Sequence, residues 1–454
     1  MSQRRGVGEY VENLLETALA EGPLSTVDRA LCLELVFGVV RWQATLDWLI
    51  SRKTGGRPQK PALQDLLRLG LYQIFWLDRI PDHAAVHETV EMAKRAGFGP
   101  QSGFVNAVLR GYLREADVTK AALAELKASQ PALGYSHPEW LVGRWQNRWG
   151  GEKTRQLLEW NNAPPKTYAR VNTLRTDAAK LLTQWRDENV EYDFFQRDWC
   201  EENLVFALKS HPPLFKLPSF QQGMFYVQDP STLLAVRELD PQPGDLVLDL
   251  CAAPGGKTTF IAQRVRNEAR VMAQDVSAER VKLIQENCAR LGVTCVETCT
   301  EPRDEVLAEK GKGRKGAEES PIPAAARPHA PGLLFPSATN TLLANKSFDR
   351  ILIDSPCSNT GVMRRRVDLR WRIRPEEIAR LRTDQLDLLR QAAARVLAGG
   401  VMVYSTCSLE PEENSEVARQ FLAEHSAFRL ERELELLPFV DGVDGAFVAR
   451  MRRN

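Results

Sequence analysis

The stretch Asp245-Leu-Val-Leu-Asp-Leu-Cys-Ala-Ala-Pro-Gly-Gly-Lys-Thr258 decides the fold. A short apolar run closes on Asp249. Small residues and glycines follow, and a helical pattern runs over 257–266. A strand, a tight turn and a helix in that order open a βαβ unit. Downstream the alternation continues, with strand patterns at 270–273 and 294–297 and a helix at 277–291 between them. Strands at 349–353 and 401–405 flank an amphipathic helix over 375–397, with Pro375 at its start and Gly399-Gly400 at its end. Such alternation predicts an α/β Rossmann-like, doubly wound sheet of order 3-2-1-4-5, with ligands outside the carboxyl ends of its strands.

Upstream, residues 10–114 carry apolar positions at three- and four-residue steps, as in Val11, Leu14, Leu15 and Ala18. No strand-like alternation interrupts them, which predicts an all-α domain with Ser25-Thr26 and Asp82 as helix N-caps. Between 120 and 220, helical patterns (139–161, 177–188) mix with extended runs (168–172, 204–207), the texture of a small α+β connecting domain. Its tryptophans, Trp140, Trp145, Trp149, Trp160, Trp185 and Trp199, read as core packing. The expected division is therefore 1–125, 126–225 and 226–454. A Gly-, Pro- and Lys-rich insertion over 308–346 is expected to be solvated.

The chain has 454 residues, and 60 Lys+Arg balance 59 Asp+Glu. That balance excludes a tail-driven nucleic-acid binder but leaves room for a local basic groove. The absence of a long apolar run argues against a membrane span, and the N-terminal glutamates Glu9, Glu12 and Glu16 against a signal peptide. A cytoplasmic protein is expected. Eight cysteines without CxxC spacing suggest neither a disulfide framework nor a zinc site. Cys288, Cys295 and Cys299 lack a nearby histidine, and His83 and His87 lack a third ligand, so no metal is expected.

Two nucleotide readings compete for the turn after the first strand. A P-loop requires G-x-x-x-x-G-K-[ST]. Gly256-Lys257-Thr258 supplies the end, but Cys251 stands at the opening glycine. A nucleoside cofactor instead needs small residues through which backbone N–H groups approach it, and an acid about twenty residues on for the ribose hydroxyls. Ala252, Ala253, Gly255 and Gly256 suit that role, and Asp275 supplies the acid. The fourth and fifth strands run into Asp354-Ser-Pro-Cys357 and Thr406-Cys407. Either thiol alone reads as packing, but order 3-2-1-4-5 makes these strands neighbours and turns both thiols to one crevice. A thiol beside an electrophilic methyl donor suits one problem well. C5 of a pyrimidine is a poor nucleophile until a thiolate adds to C6. Asp354 is then placed for the amine and N3 edge of a cytosine, and a second thiol for release.

Together, DLCAAPGGKT, DSPCSNTGVMRRRVDLRW and YSTCSLEPEEN resemble the signature motifs of the NOL1/NOP2/Sun family of RNA 5-methylcytosine methyltransferases. ELVFGVVRWQATLDWLI and GFVNAVLRGYLRE are similar to a NusB-type helical RNA-binding domain. YSHPEWLVGRW and PPKTYARVNTLRT are similar to the segment that joins the two. The resemblance implies Cys407 as nucleophile and Cys357 as the residue that promotes release. It implies S-adenosyl-L-methionine held by Cys251, Ala252, Ala253, Pro254, Gly255, Gly256 and Lys257, its ribose on Asp275, and Asp354 between cofactor and base. RNA is the implied partner, 16S ribosomal RNA foremost. Two departures stand out. Ser355 and Asn359 replace smaller residues of the family's usual pattern. The family's Asp after the third strand, which contacts the adenine side of the cofactor, has no counterpart in the expected place in VETCTEPRD, where Glu301 and Asp304 are the substitutes at hand.

Arg364, Arg365, Arg366, Arg370, Arg372 and Arg374 surround Trp371 just past the Cys357 loop, which predicts phosphate contacts and base stacking. The target base must leave its stack to reach Cys407, so a single-stranded or loop cytosine is expected. Alternatives are the same chemistry on transfer RNA and a non-catalytic, antitermination-like RNA-binding scaffold. The sequence does not constrain the oligomeric state, and a monomer satisfies it.

Overall fold

The computed structural model describes residues 10–20, 22, 24–300 and 346–454. Glu301, Asp304 and the 308–345 part of the insertion lie outside the described residues. The chain groups into two compact units, 10–163 with Met363–Arg372, and 164–300 with 346–362 and Ile373–Asn454.

The first unit is helical. Thr26–Arg41, Gln43–Thr54, Pro61–Trp76, Asp82–Arg95 and Ser102–Arg114 surround a core of Leu46, Leu49, Leu67, Leu71, Val105 and Leu109. Ser25 caps its helix by accepting from the Asp28 N–H. Asp82 is one position off the expected cap: Pro81 is the N-cap, and Asp82 is the first helical residue, where its charge favours the helix N-terminus.

Arg364, Arg370 and Trp371 depart from the reading as a nucleic-acid stripe, whereas Arg366 and Arg374 are exposed and Arg365 and Arg372 half-buried. Arg370 is fully buried and donates to the carbonyls of Arg41 (3.3 Å), Ser136 (3.2 Å) and Asn161 (3.1 Å) and to Asn162 Oδ1 (2.8 Å). Arg41 ends one helix, and Asn161 and Asn162 end the helix Glu139–Asn162. Helix C-termini leave carbonyls without intrahelical donors, and a guanidinium satisfies several at once. Arg364 stacks 3.8 Å over the Trp160 ring, and Trp371 Nε1 donates to the Val40 carbonyl. These side chains are spent on the interior of the helical unit.

The second unit contains two sheets. The smaller is antiparallel, β1 (Thr167–Val171), β2 (Glu191–Phe194), β3 (Val205–Ser210) and β4 (Phe225–Val227), in order β2-β3-β1-β4. Alternation along β1 sends Ala169 and Val171 to a core with Trp185, Phe206 and Phe225. Tyr168 goes to the opposite face, with Val205, Leu234, Phe260 and Val271. The sheet is thus covered on both faces. β1 and β3 match the extended runs expected from sequence, whereas β2 is a mostly exposed edge and β4 has three residues, too little for a pattern.

The larger sheet comprises β5 (Leu246–Leu250), β6 (Arg270–Asp275), β7 (Val296–Thr300), β8 (Phe348–Asp354), β9 (Val396–Thr406), β10 (Phe428–Leu436) and β11 (Ala446–Arg453). Its order is β10-β11-β9-β8-β5-β6-β7. The parallel part has the expected 3-2-1-4-5 order, and β11 and β10 extend it antiparallel beyond β9. The helix after β8 ends earlier than expected, at Ala393, and β9 already begins at Val396, which pairs with Phe348. Gly399 takes φ 76° inside the strand, and the register with β8 shifts between Phe348 and Arg350. The glycines therefore mark an irregularity in β9 rather than a helix end. Among the described residues no helix is long and apolar enough to cross a membrane.

Candidate active site

The loop after β5 gathers at the carboxyl end of the sheet. Cys251 holds φ 61°, the left-handed conformation that a P-loop would obtain from glycine. Gly255 (φ 97°) ends the turn, and a Cβ there would sit 3.3 Å from the Ile284 backbone. The helix Gly256–Arg264 then starts with its N–H groups facing the loop. The Ala253 carbonyl accepts from Arg280 and the Pro254 carbonyl from Asn287, so the following helix fixes the loop from outside. Asp275, 2% exposed at the end of β6, accepts from the Ala253 N–H (3.1 Å) and lies 3.3 Å from Arg280. Small residues, a helix N-terminus and a carboxylate at the next strand's tip form a cradle that fits a nucleoside cofactor.

Beneath this loop, Asp249 is fully buried. Thr258 Oγ1 donates to one oxygen at 2.6 Å, and the other has no hydrogen-bond partner. Burial pushes its acid up to about 7 despite the Thr258 bond. Lys257 Nζ lies 2.6 Å from Asp354 Oδ2. Burial works against the lysine's charge, but Asp354 outweighs it, and Lys257 holds its proton more tightly than a free lysine. Sequence reading placed Lys257 in the cofactor loop alone, yet its ammonium reaches across to the end of β8.

Register explains the meeting of the two thiols. Asp354 pairs with Ser405, and the Ser355 N–H donates to the Ser405 carbonyl, so the loops leaving β8 and β9 start level. Cys357 Sγ and Cys407 Sγ end 3.4 Å apart. The Gly361 N–H donates to the Cys407 carbonyl, and a Cβ at Gly361 would sit 2.6 Å from that oxygen. Asn359 takes φ 58°, which asparagine tolerates better than most residues. Its amide nitrogen donates to the Cys357 carbonyl at 2.6 Å, which turns Oδ1 toward Cys407 Sγ at 3.1 Å. The hydrogen bond with Cys407, then burial, push the Cys357 thiol up.

Sequence reading missed the buried polar side chains behind the thiols. Glu413 is fully buried and accepts from the Ser358 N–H (2.8 Å), Ser358 Oγ, Ser408 Oγ (2.5 Å) and Gln385 Nε2 (3.1 Å). Asn414 bonds Thr406 Oγ1 and the Ser408 carbonyl. The acids and amide of EPEEN were in view, but their spacing from Cys407 signals no partner on the other loop.

Comparisons with known proteins agree with this architecture. A family model described as 16S rRNA methyltransferase RsmB/F matches residues 236–312 and 336–452. A NusB family model matches 2–114, and the ferredoxin-like domain of RsmF/B-like methyltransferases matches 137–210. A Bacillus subtilis protein named probable ribosomal RNA small subunit methyltransferase B is 35% identical, covering 98% of this chain and 95% of its own. A Klebsiella pneumoniae protein named ribosomal RNA small subunit methyltransferase B is 35% identical with the same coverage. A solved methyltransferase homolog from Pyrococcus horikoshii is 26% identical with TM-score 0.55, over 71% of this chain and 97% of that one. The structure titled PH0851 shares the fold at 22% identity and TM-score 0.72, over 96% of this chain and 93% of that one. The chain belongs to the RsmB/F family of 16S rRNA methyltransferases.

Proposed function

We propose that this chain methylates C5 of a cytosine in small-subunit ribosomal RNA, with S-adenosylmethionine as donor and Cys407 as covalent nucleophile. The observation that carries the reading is the meeting of Cys357 and Cys407 at 3.4 Å, at the ends of β8, which adjoins the strand carrying the small-residue loop, and of β9, next beyond it. The two curated relatives named for the small ribosomal subunit support the substrate.

Cys251 to Lys257 and Asp275 are the residues that would hold S-adenosylmethionine, which supplies an electrophilic methyl group when bound. The chain's own residues prepare the base. Cys407 forms a bond from Sγ to C6, and the ring electrons shift toward N3 and C5. The polar edge of the base is assigned to the Lys257–Asp354 pair, whose ammonium is the donor as negative charge develops on the ring. C5 thereby becomes nucleophilic. After C5 has taken the methyl group, its proton passes to solvent, the electrons of that C–H bond restore the C5–C6 double bond, and the Sγ–C6 bond breaks with its pair on sulfur; the Cys357 thiol is the group assigned to protonate the departing thiolate. A cytosine must be out of its stack for this geometry, so an unpaired nucleotide is the substrate form.

The test is a denaturing-gel assay with S-adenosylmethionine and a small-subunit RNA transcript. Cys357→Ala should accumulate a slow-migrating protein–RNA adduct that Cys357→Ala/Cys407→Ala lacks. Methyl transfer that survives Cys407→Ala would overturn the assignment of the nucleophile. Transfer to transfer RNA alone would move the substrate, and RNA binding without any transfer would favour the scaffold.

A further inference from the structure

The two cysteines sit on separate loops, 50 residues apart in sequence, and each is followed directly by a serine. Both serines turn to one carboxylate. Ser358 approaches Glu413 with its N–H and its hydroxyl, and Ser408 with its hydroxyl. The Ser408 hydroxyl oxygen in turn accepts from the Glu410 N–H at 3.0 Å, which leaves its proton for Glu413. Gln385, from the helix Pro375–Ala393, adds a fourth donor. Four donors converge on an acceptor with no solvent exposure; burial raises the Glu413 carboxyl, and these donors oppose that by favouring the carboxylate, which an amide could not replace.

We propose that Glu413 is a positioning residue of the methyl-transfer site, whose carboxylate clamps the residues after Cys357 and Cys407 and so sets the separation of the two thiols. This rests on the proposed function for its role in turnover, but the clamp itself is independent of any substrate. A shared buried acceptor couples the loops more tightly than either strand end alone, because releasing one serine leaves a buried charge short of a donor. The same charge also acts on Cys357. Cys357 faces Cys407, Glu413 and the Tyr404 hydroxyl, whereas Lys257, itself paired with Asp354, lies within reach of Cys407. The hydrogen bond with Cys407 and burial push the Cys357 thiol up, and the Glu413 carboxylate adds to that.

The experiment uses the full chain with Glu413→Gln and Glu413→Asp. Methyl transfer to the small-subunit transcript should fall roughly 10–100-fold in kcat for Glu413→Gln, the range typical of outer-shell partners. Affinity for S-adenosylmethionine, followed by calorimetry, should stay within about twofold. In a Cys407→Ser background, the pH midpoint for modification of Cys357 by methyl methanethiosulfonate should move down when Glu413 becomes Gln. A role in packing alone would lower the melting temperature and leave that midpoint in place. Wild-type turnover together with an unmoved midpoint would overturn the proposal. If Glu413→Gln fails to fold, Ser358→Ala and Ser408→Ala each remove one arm; several-fold loss of kcat in both supports the clamp, and unchanged kcat in both overturns it. Should the wild type methylate no RNA, the functional reading fails while the modification midpoint still decides the clamp.

Discussion

Asp249 shows how much one buried acid can impose. Its folded value of about 7 lies above the ordinary 3.8, so the folded chain binds a proton that the unfolded chain releases. Stability from this group is full below about pH 3.8 and is lost as pH rises through 7. Asp249→Asn keeps an acceptor for Thr258 without the charge. Its stability relative to wild type should improve by about 2–3 kcal/mol between pH 5 and pH 8, measured by urea unfolding at each pH. A difference that stays flat across that range would show that Asp249 ionises as an ordinary carboxylate. Asn359 offers a second residue-level check. Asn359→Gly preserves the left-handed turn and removes the acceptor facing Cys407. Iodoacetamide should then modify Cys407 about fivefold faster, the equivalent of one neutral hydrogen bond, and an unchanged rate would remove Asn359 from the thiol's surroundings.

At the level of elements, two contacts decide whether the loops and helix ends hold. Gly361 lies against the Cys407 carbonyl and the Gly445 Cα, where a Cβ would come within 2.6 and 2.8 Å of them. Gly361→Ala should push the β8 and β9 loops apart and cut methyl transfer at least tenfold while S-adenosylmethionine still binds; full activity would show that the loops yield. Arg370 is the counterpart in the helical unit. Replacing it with Met leaves the Arg41, Ser136 and Asn161 carbonyls without that donor. A loss on the order of 3 kcal/mol is expected, read by chemical denaturation with helical circular dichroism. The arginine run shows why such contacts escape a sequence reading. Charge density alone suited an exposed stripe, and only the helix ends that converge on Arg370 reveal a buried role.

Across the whole molecule, ligand linkage separates the two compact units. S-adenosylmethionine at about a hundred times its Kd stabilises whatever folds around it by about 2.7 kcal/mol. Hydrogen exchange should therefore slow across Leu246–Leu250, Gly256–Arg264 and Arg270–Asp275, with no change across Gln43–Thr54 and Pro61–Trp76. Slowing in those helices as well would mean that the two units open as one.

Local chemistry made much of this protein legible. Alternating strand and helix patterns, the small-residue turn at 251–257 and the thiols at two strand ends all follow from short-range rules of periodicity and backbone freedom. They led to the parallel sheet order and to the residues that line its carboxyl edge. β10 was not legible, because its charged, alternating residues describe a surface strand only once a neighbour pairs with it. The Ser358 arm of the Glu413 clamp, the Lys257–Asp354 pair and the contact of Arg370 with Arg41 join positions from 55 to more than 300 residues apart. No local rule specifies such a pairing. Tertiary structure decided them, because a buried charge or carbonyl must find its partner wherever the fold brings one.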